Sequence, residues 1–298
     1  MEKPYLFIPL HMTPTAVIDF ARELEGRGFP GLMMSTAFGD NIALSLAILD
    51  NTTTIRVATG ITDIYTRHPH DMASAASLIE SLHPGRFILG IGVAHAPSHE
   101  SLGVSVGKPL ADTRNYVASL REASEGKPFP TLMLAALRKR MTALSGAISQ
   151  GVIWANAAQS HLHESLLELV NRPREFVVGN ITRTLLTNNI EAGRNAFRES
   201  FLMYMKLPNY QNYYIEAGYR REIDEARRAL SRGDDAGVIK AISDKMADDL
   251  SNIGRAEQIR AKVQAWYDLG VTHLALNPMS ITDPLDAHRE IMAVFDPG

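Results

Sequence analysis

Short runs of consecutive apolar residues recur along this chain, separated by longer segments of helical periodicity. Residues 5–10, 31–35, 55–60, 87–93, 131–135, 151–155, 176–179 and 272–277 read as strands. In these runs apolar residues follow one another instead of alternating with polar ones, the pattern of strands covered on both faces in parallel α/β sheets. Between them lie helix signals. Thr13-Pro14 gives a cap and a first-turn proline, Val17, Phe20, Ala21 and Leu24 repeat at helical spacing, and Gly26 and Gly28 end the segment. His68-Pro69 opens another helix, and Ile259, Val263, Trp266 and Leu269 mark one stopped by Gly270. Eight such units in 298 residues predict an α/β fold, a (β/α)8 or TIM barrel. The alternative is an open doubly wound sheet. The surplus length, about residues 185–252, is polar, helical in pattern and rich in tyrosine (Tyr204, Tyr210, Tyr213, Tyr214, Tyr219). It is expected to be a helical insertion before the last strand, lying over the barrel mouth, so that residues 1–298 form a single domain.

Composition narrows the function. With 30 basic and 33 acidic residues the net charge is −3, and no basic face is expected for a nucleic-acid partner. There are no cysteines, which excludes disulfides, thiolate metal ligands and a cysteine nucleophile. The N-terminal apolar run is too short for a signal-peptide core, and no apolar stretch approaches the ~18 residues of a transmembrane helix. A cytoplasmic protein without membrane contact is the expectation.

In a barrel, chemistry gathers just after the strands. Gly90-Ile91-Gly92 is no dinucleotide fingerprint, because His95 stands where the third glycine would fall, and no phosphate loop occurs. His95 and His99 have the i, i+4 spacing of a zinc-binding pair, but Pro97 between them argues against a helix, so no metal site is assigned. His68, before Pro69, reads mainly as a helix cap.

The phrases TGITDIYTRHP (from Thr59) and LHPGRFILGIGVAHAP (from Leu82) resemble the luciferase-like monooxygenase superfamily, especially members that use the deazaflavin coenzyme F420. KPLADTRNY and LPNYQNYYIEAGY extend the resemblance over nearly the whole chain. It implies a bulge behind the coenzyme ring with a non-prolyl cis bond between Gly60 and Ile61. It implies contacts to the ring and side chain from Val93, Ala94 and His95, and a loop and helix start at Ala135, Ala136 and Arg138 for the coenzyme's phosphate end. Thr36 takes a position that is acidic in similar sequences, Ala37 stands where many have histidine, and Arg138-Lys139 replaces a Gly-Pro pair. With no histidine at Ala37, His95 becomes the candidate acid/base, beside the alternative of a histidine satisfied within its loop. The implied activity is F420-dependent hydride transfer to or from a small organic substrate, by a homodimer. The alternatives are an FMN-dependent monooxygenase and a flavin-binding member without catalysis.

Overall fold

The computed structural model describes residues 2–8, 12–35, 39–169, 172–281 and 286–296. Its strands are β1 (Tyr5–Phe7), β2 (Gly31–Ser35), β3 (Arg56–Asp63), β4 (Phe87–Gly92), β5 (Thr131–Ala135), β6 (Gly151–Ala155), β7 (Val177–Leu186), β8 (Ser251–Gly254) and β9 (His273–Met279). They form one sheet in the order β6-β5-β4-β3-β2-β1-β9-β7-β8, and β6 also pairs with β7. Eight strands thereby close into the ring of a (β/α)8 barrel, and β8 lies outside it beside β7. The open sheet is excluded. Neighbouring strands run parallel, with Leu32 opposite Val57, Ile88 opposite Thr131 and Met133 opposite Gly151.

β2, β5 and β6 coincide with the expected runs, whereas β3 continues three residues past Gly60. Two differences fall in the stretch read as an insertion. β7 extends to Leu186, and Ser251–Gly254 is a strand that the apolar-run rule does not find. The reason is that β8 is a polar strand: Asn252 Nδ2 donates to Thr184 Oγ1 at 3.1 Å, and Trp266 Nε1 donates to Asn252 Oδ1 at 3.3 Å. Backbone pairing holds it against residues 183–186 of β7, Ile253 is buried, and these side-chain hydrogen bonds satisfy the polar groups buried with it.

The chain divides into two compact units, Met1–Trp154 with Leu167–Gly179, and Ala155–Leu166 with Asn180–Gly298. The first carries helices α1 (Pro14–Gly26), α2 (Asn41–Asp50), α3 (Pro69–Leu82), α4 (Ala96–Leu102), α5 (Pro109–Ala123) and α6 (Lys139–Ile148). α1 forms where its signals place it: Thr13 Oγ1 accepts from Ala16 N, and Val17, Phe20, Ala21 and Leu24 are its buried stripe. Burying each of the larger of these side chains stabilises the fold by ~1.5–3 kcal/mol. The second unit carries α7 (Leu162–Leu166), α8 (Ile190–Met205), α9 (Pro208–Glu216), α10 (Arg220–Leu230), α11 (Asp235–Ala241), α12 (Asp244–Leu250), α13 (Ala256–Asp268) and α14 (Ala287–Val294). Its core is aromatic, with Phe197, Phe201, Tyr213, Tyr214 and Trp266 buried.

Candidate active site

In the first unit, the ends of β3, β4 and β5 converge on residues without bulk. β3 carries one extra residue. Against β2, Met34 pairs with Thr59 and Ser35 with Ile61, so Gly60 is passed over. Against β4, Ala58 pairs with Ile88 and Thr62 with Ile91. The bulge is fastened by the buried Thr59 hydroxyl, which donates to Gly90 O at 2.9 Å and accepts from Gly90 N at 2.8 Å. Asn41 Nδ2 donates to Ile61 O and Thr62 Oγ1 from the start of α2. The expected bulge is therefore present at Gly60, but the expected cis bond between Gly60 and Ile61 is not, and the described residues contain no cis peptide bond. The extra residue alone re-aims the strand, whereas a non-prolyl cis bond adds a cost of ~3 kcal/mol that nothing in this geometry requires.

Gly90 and Gly92 are glycines for close approach. A Cβ on Gly90 would lie 1.8 Å from Thr59 O, and one on Gly92 would lie 2.7 Å from Ala135 Cβ and 3.0 Å from Ile61 Cδ1. Ile61 and Ala135, assigned separately from the sequence, thus meet around Gly92. Beyond the wholly buried bodies of β4 and β5, Ile61, Val93, Ala94 and Ala135 are only half-buried and leave an apolar platform open. Ala94 has φ +22, and a non-glycine residue with positive φ is a strained conformation of the kind that gathers at functional sites.

Ala94 turns the chain into α4. Pro97 does not prevent this helix, contrary to expectation, because it sits in the first turn, where a missing N–H costs nothing. His95 is the N-cap residue of α4, and its side chain makes no cap bond. Burial, then the neighbouring His99, push the His95 imidazole below the usual histidine range, against the opposing pull of Ala94 and Asp63. The neutral form of the ring is thereby favoured, with the Ala94 backbone as one of its hydrogen-bond partners. One turn later His99 is buried and places Nε2 3.0 Å from Oδ2 of the buried Asp63. Asp63 Oδ1 accepts from Tyr65 N, the Tyr65 ring packs edge-on against His99 at 5.2 Å, and Tyr65 Oη donates to Asp112 Oδ2 at 2.7 Å. The network ties α4 and α5 to the end of β3. Sequence reading missed it, although the signal was there: the His95–His99 spacing is helical once Pro97 is allowed in the first turn.

Ala136 is buried, and its N–H is taken by Ile153 O at 2.9 Å. Arg138 is the exposed N-cap residue of α6, followed by the exposed Lys139 and Arg140 with no acidic residue in the first turn. Thr36 and Ala37 lie outside the described residues. His68 caps α3 as expected, Nδ1 accepting from His70 N, and Arg67 pairs with Asp71 and Asp40. A surface cavity lined by Arg121, Phe129, Leu132 and Gln150 opens at the opposite, N-terminal ends of the strands and contributes nothing to this site.

The second unit has its own polar cluster, also missed from the sequence. Asn156, the residue after β6, has φ +60, and its N–H donates to Ile181 O at 2.8 Å. Tyr214 Oη donates to Asn156 O at 3.0 Å. Arg183, two residues beyond Ile181 on β7, donates from Nη1 to Asn156 Oδ1 and from Nη2 to Ser200 O. Its guanidinium lies 5.3 Å from the Phe201 ring centre and 5.0 Å from that of Tyr204. Tyr210, Tyr213 and Tyr214 are buried, so most of the tyrosine cluster is core packing, and burial raises their hydroxyls well above the usual range.

A family model described as luciferase-like monooxygenase matches residues 6–273. The chain is 21% identical to the 5,10-methylenetetrahydromethanopterin reductase of Methanolobus tindarius, over 87% of this chain and 88% of that protein. It is 23% identical to a putative coenzyme F420-dependent oxidoreductase of Mycobacterium tuberculosis, over 85% and 87%. Among solved structures, the coenzyme F420 dependent tetrahydromethanopterin reductase from Methanopyrus kandleri shares the fold with a TM-score of 0.72 at 16% identity, covering 99% of this chain and 98% of that one.

Proposed function

Because the chain belongs to the luciferase-like monooxygenase family and is an oxidoreductase of it, we propose that it is F420-dependent and moves hydride to or from a small organic substrate. The observation that carries the choice of F420 is the start of α6, where three exposed cations, Arg138, Lys139 and Arg140, follow one another in a first turn that holds no acidic residue of its own, Lys139 approaching Glu168 at 3.8 Å. Three cations at the positive end of a helix dipole disfavour one another and the helix. An anionic group there relieves both, and free N–H groups at the helix start add hydrogen bonds. F420 continues past its phosphate into a lactyl-glutamyl chain with further carboxylates, whereas FMN ends in one phosphate.

The residues present fit such a coenzyme. Ile61, Val93, Ala94 and Ala135 offer a half-buried apolar surface to a flat ring, Gly60 supplies the bulge beneath it, and Ala136 and Arg138 lead to the cationic helix start. A bound deazaflavin carries the hydride. In this reading the protein's own share is orientation, exclusion of water and handling of the accompanying proton, which the neutral His95 imidazole accepts or returns. Thr36 is retained as a coenzyme contact. The same reading keeps a homodimeric, cytoplasmic protein, and Leu78 and Leu82, one turn apart on α3 and both more than half exposed, are an apolar strip that such an assembly would cover.

Parallel titration of the coenzyme-free protein with F420 and FMN, following each chromophore, tests the proposal. F420 is expected to bind more tightly, with an affinity that falls as ionic strength rises and falls further in the Arg138→Gln, Lys139→Gln double variant. Preference for FMN, or affinity indifferent to that variant, overturns the assignment.

A further inference from the structure

Arg183 is a half-buried cation that the fold holds in place without giving it a countercharge. Among the described residues no carboxylate lies within ion-pair distance of it. The arginines near it in the same unit are treated differently: Arg194 pairs with Asp244 and Asp248, and Arg198 with Glu191 and Asp244. Arg86, which also lacks a carboxylate pair, spends its guanidinium on Ile55 O, Leu49 O, Thr52 O and Thr52 Oγ1. Arg183 has two acceptors, Asn156 Oδ1 and Ser200 O, for the five N–H groups of a guanidinium. The remainder find no acceptor among the described residues.

Its surroundings fix its orientation. The stacked Phe201 and Tyr204 rings, 5.2 Å apart, support it from one side. Asn156 holds its edge from the left-handed region, which asparagine tolerates better than most residues, and is itself fastened through its N–H and its carbonyl. A partly desolvated, oriented guanidinium with free N–H groups and no local acid is arranged to take an oxyanion through charge-assisted hydrogen bonds. Asn156 immediately follows β6, which puts the cluster at the C-terminal ends of the strands, where barrel enzymes keep their sites. One positive charge among neutral phenols and an amide matches a single negative charge, which a carboxylate carries and a phosphate monoester exceeds.

We propose that Arg183, held by Asn156 and the Phe201–Tyr204 pair, binds the carboxylate of a small organic acid, and that the substrate carries this group. The binding site stands on its own geometry, and its assignment to a substrate rests on the oxidoreductase reading above.

Calorimetric titration of the full chain with benzoate, its neutral isostere benzamide, and inorganic phosphate tests this. Benzoate is expected to bind at least tenfold more tightly than benzamide in the unaltered protein, a comparison that needs no variant. Arg183→Met, which keeps the methylene stem on the rings, is expected to weaken benzoate roughly 10- to 100-fold, the loss of one or two charge-assisted hydrogen bonds. Arg183→Lys retains part of the affinity. Equal binding of benzoate and benzamide, or undiminished benzoate binding by a folded Arg183→Met protein, overturns the site. Phosphate binding more tightly than benzoate overturns the carboxylate. Competitive displacement of benzoate by F420 assigns the site to the coenzyme and overturns the substrate role. Benzoate binding that depends on Arg183, in a protein that takes neither F420 nor FMN, leaves the site standing and removes the oxidoreductase reading. F420 binding without benzoate binding does the reverse.

Discussion

At the scale of single residues, His95 carries the sharpest prediction. Its lowered affinity for protons favours the neutral ring, the form that the proposed role as proton acceptor requires. His95→Gln is expected to keep F420 affinity within a few-fold and to lose ~10²–10⁴-fold in turnover, the range of a positioned acid/base, once a substrate has been found by screening with oxidised and reduced coenzyme. In the unaltered enzyme the rate is expected to fall as pH drops through the depressed His95 pKa, because a protonated ring no longer accepts, and His95→Gln is expected to flatten that limb. Unchanged turnover would return His95 to the role of a loop residue. The companion pair Asp63 and His99 was harder to read from the sequence, because two residues 36 positions apart become partners only when β3 and α4 are brought together.

At the scale of elements, two junctions decide whether the strand ends are in place. The β3–β4 junction depends on Gly90, where a Cβ would drive into the Thr59 carbonyl, and backbone cannot retreat as a side chain can. Gly90→Ala is therefore expected to cost about 3 kcal/mol, the upper part of the overpacking range, measured by urea unfolding, while Gly26→Ala, with open space at its Cβ, costs far less. The second junction is the turn before β3. Glu25, near the end of α1, uses Oε1 to accept from Thr53 N, Thr54 N, Thr54 Oγ1 and Ile55 N. Partial burial raises its pKa, but the hydrogen bonds outweigh this and bring it down to about 2, from an ordinary value of 4.5. A carboxylate depressed on folding contributes stability that is complete above the unfolded value and is lost as pH falls toward the folded one. Glu25→Gln is expected to lower the urea midpoint at pH 7, with the difference from the unaltered protein closing between about pH 4.5 and 2. A difference independent of pH would assign the effect to geometry rather than charge.

At the scale of the whole molecule, coenzyme binding and stability are linked. A ligand that binds only the folded chain stabilises it by ~2.7 kcal/mol at a hundred times its dissociation constant. F420 at that excess is expected to raise the unfolding free energy by about this amount, and FMN at the same concentration by less; equal effects would mean that the tail makes no difference. Net charge is −3, so the cations of the α6 start are a local feature of an otherwise balanced chain. No described helix is long and apolar enough to cross a membrane.

The order of strands and helices was legible from the chain alone, because a strand buried on both faces must be apolar throughout and a helix with one buried face must repeat every three to four residues. The bulge at Gly60 and the helix start at Arg138 were reached through the family resemblance of the phrases around them. β8 was not, since a polar strand such as Ser251–Gly254 is recognisable only by the Thr184 and Trp266 side chains that meet it. Nor could the chain reveal that Asp63 meets His99, or that Arg183 rests on Phe201 and Tyr204 with Asn156 at its edge. Those contacts join residues far apart in sequence, and a polar side chain carries no periodic mark of its partner. Burial, countercharge and the number of unused hydrogen bonds are properties of the assembled neighbourhood, so His95 and the coenzyme-contact positions could be named from the chain, whereas the Asp63–His99 pair and the Arg183 cluster emerged only in the folded structure.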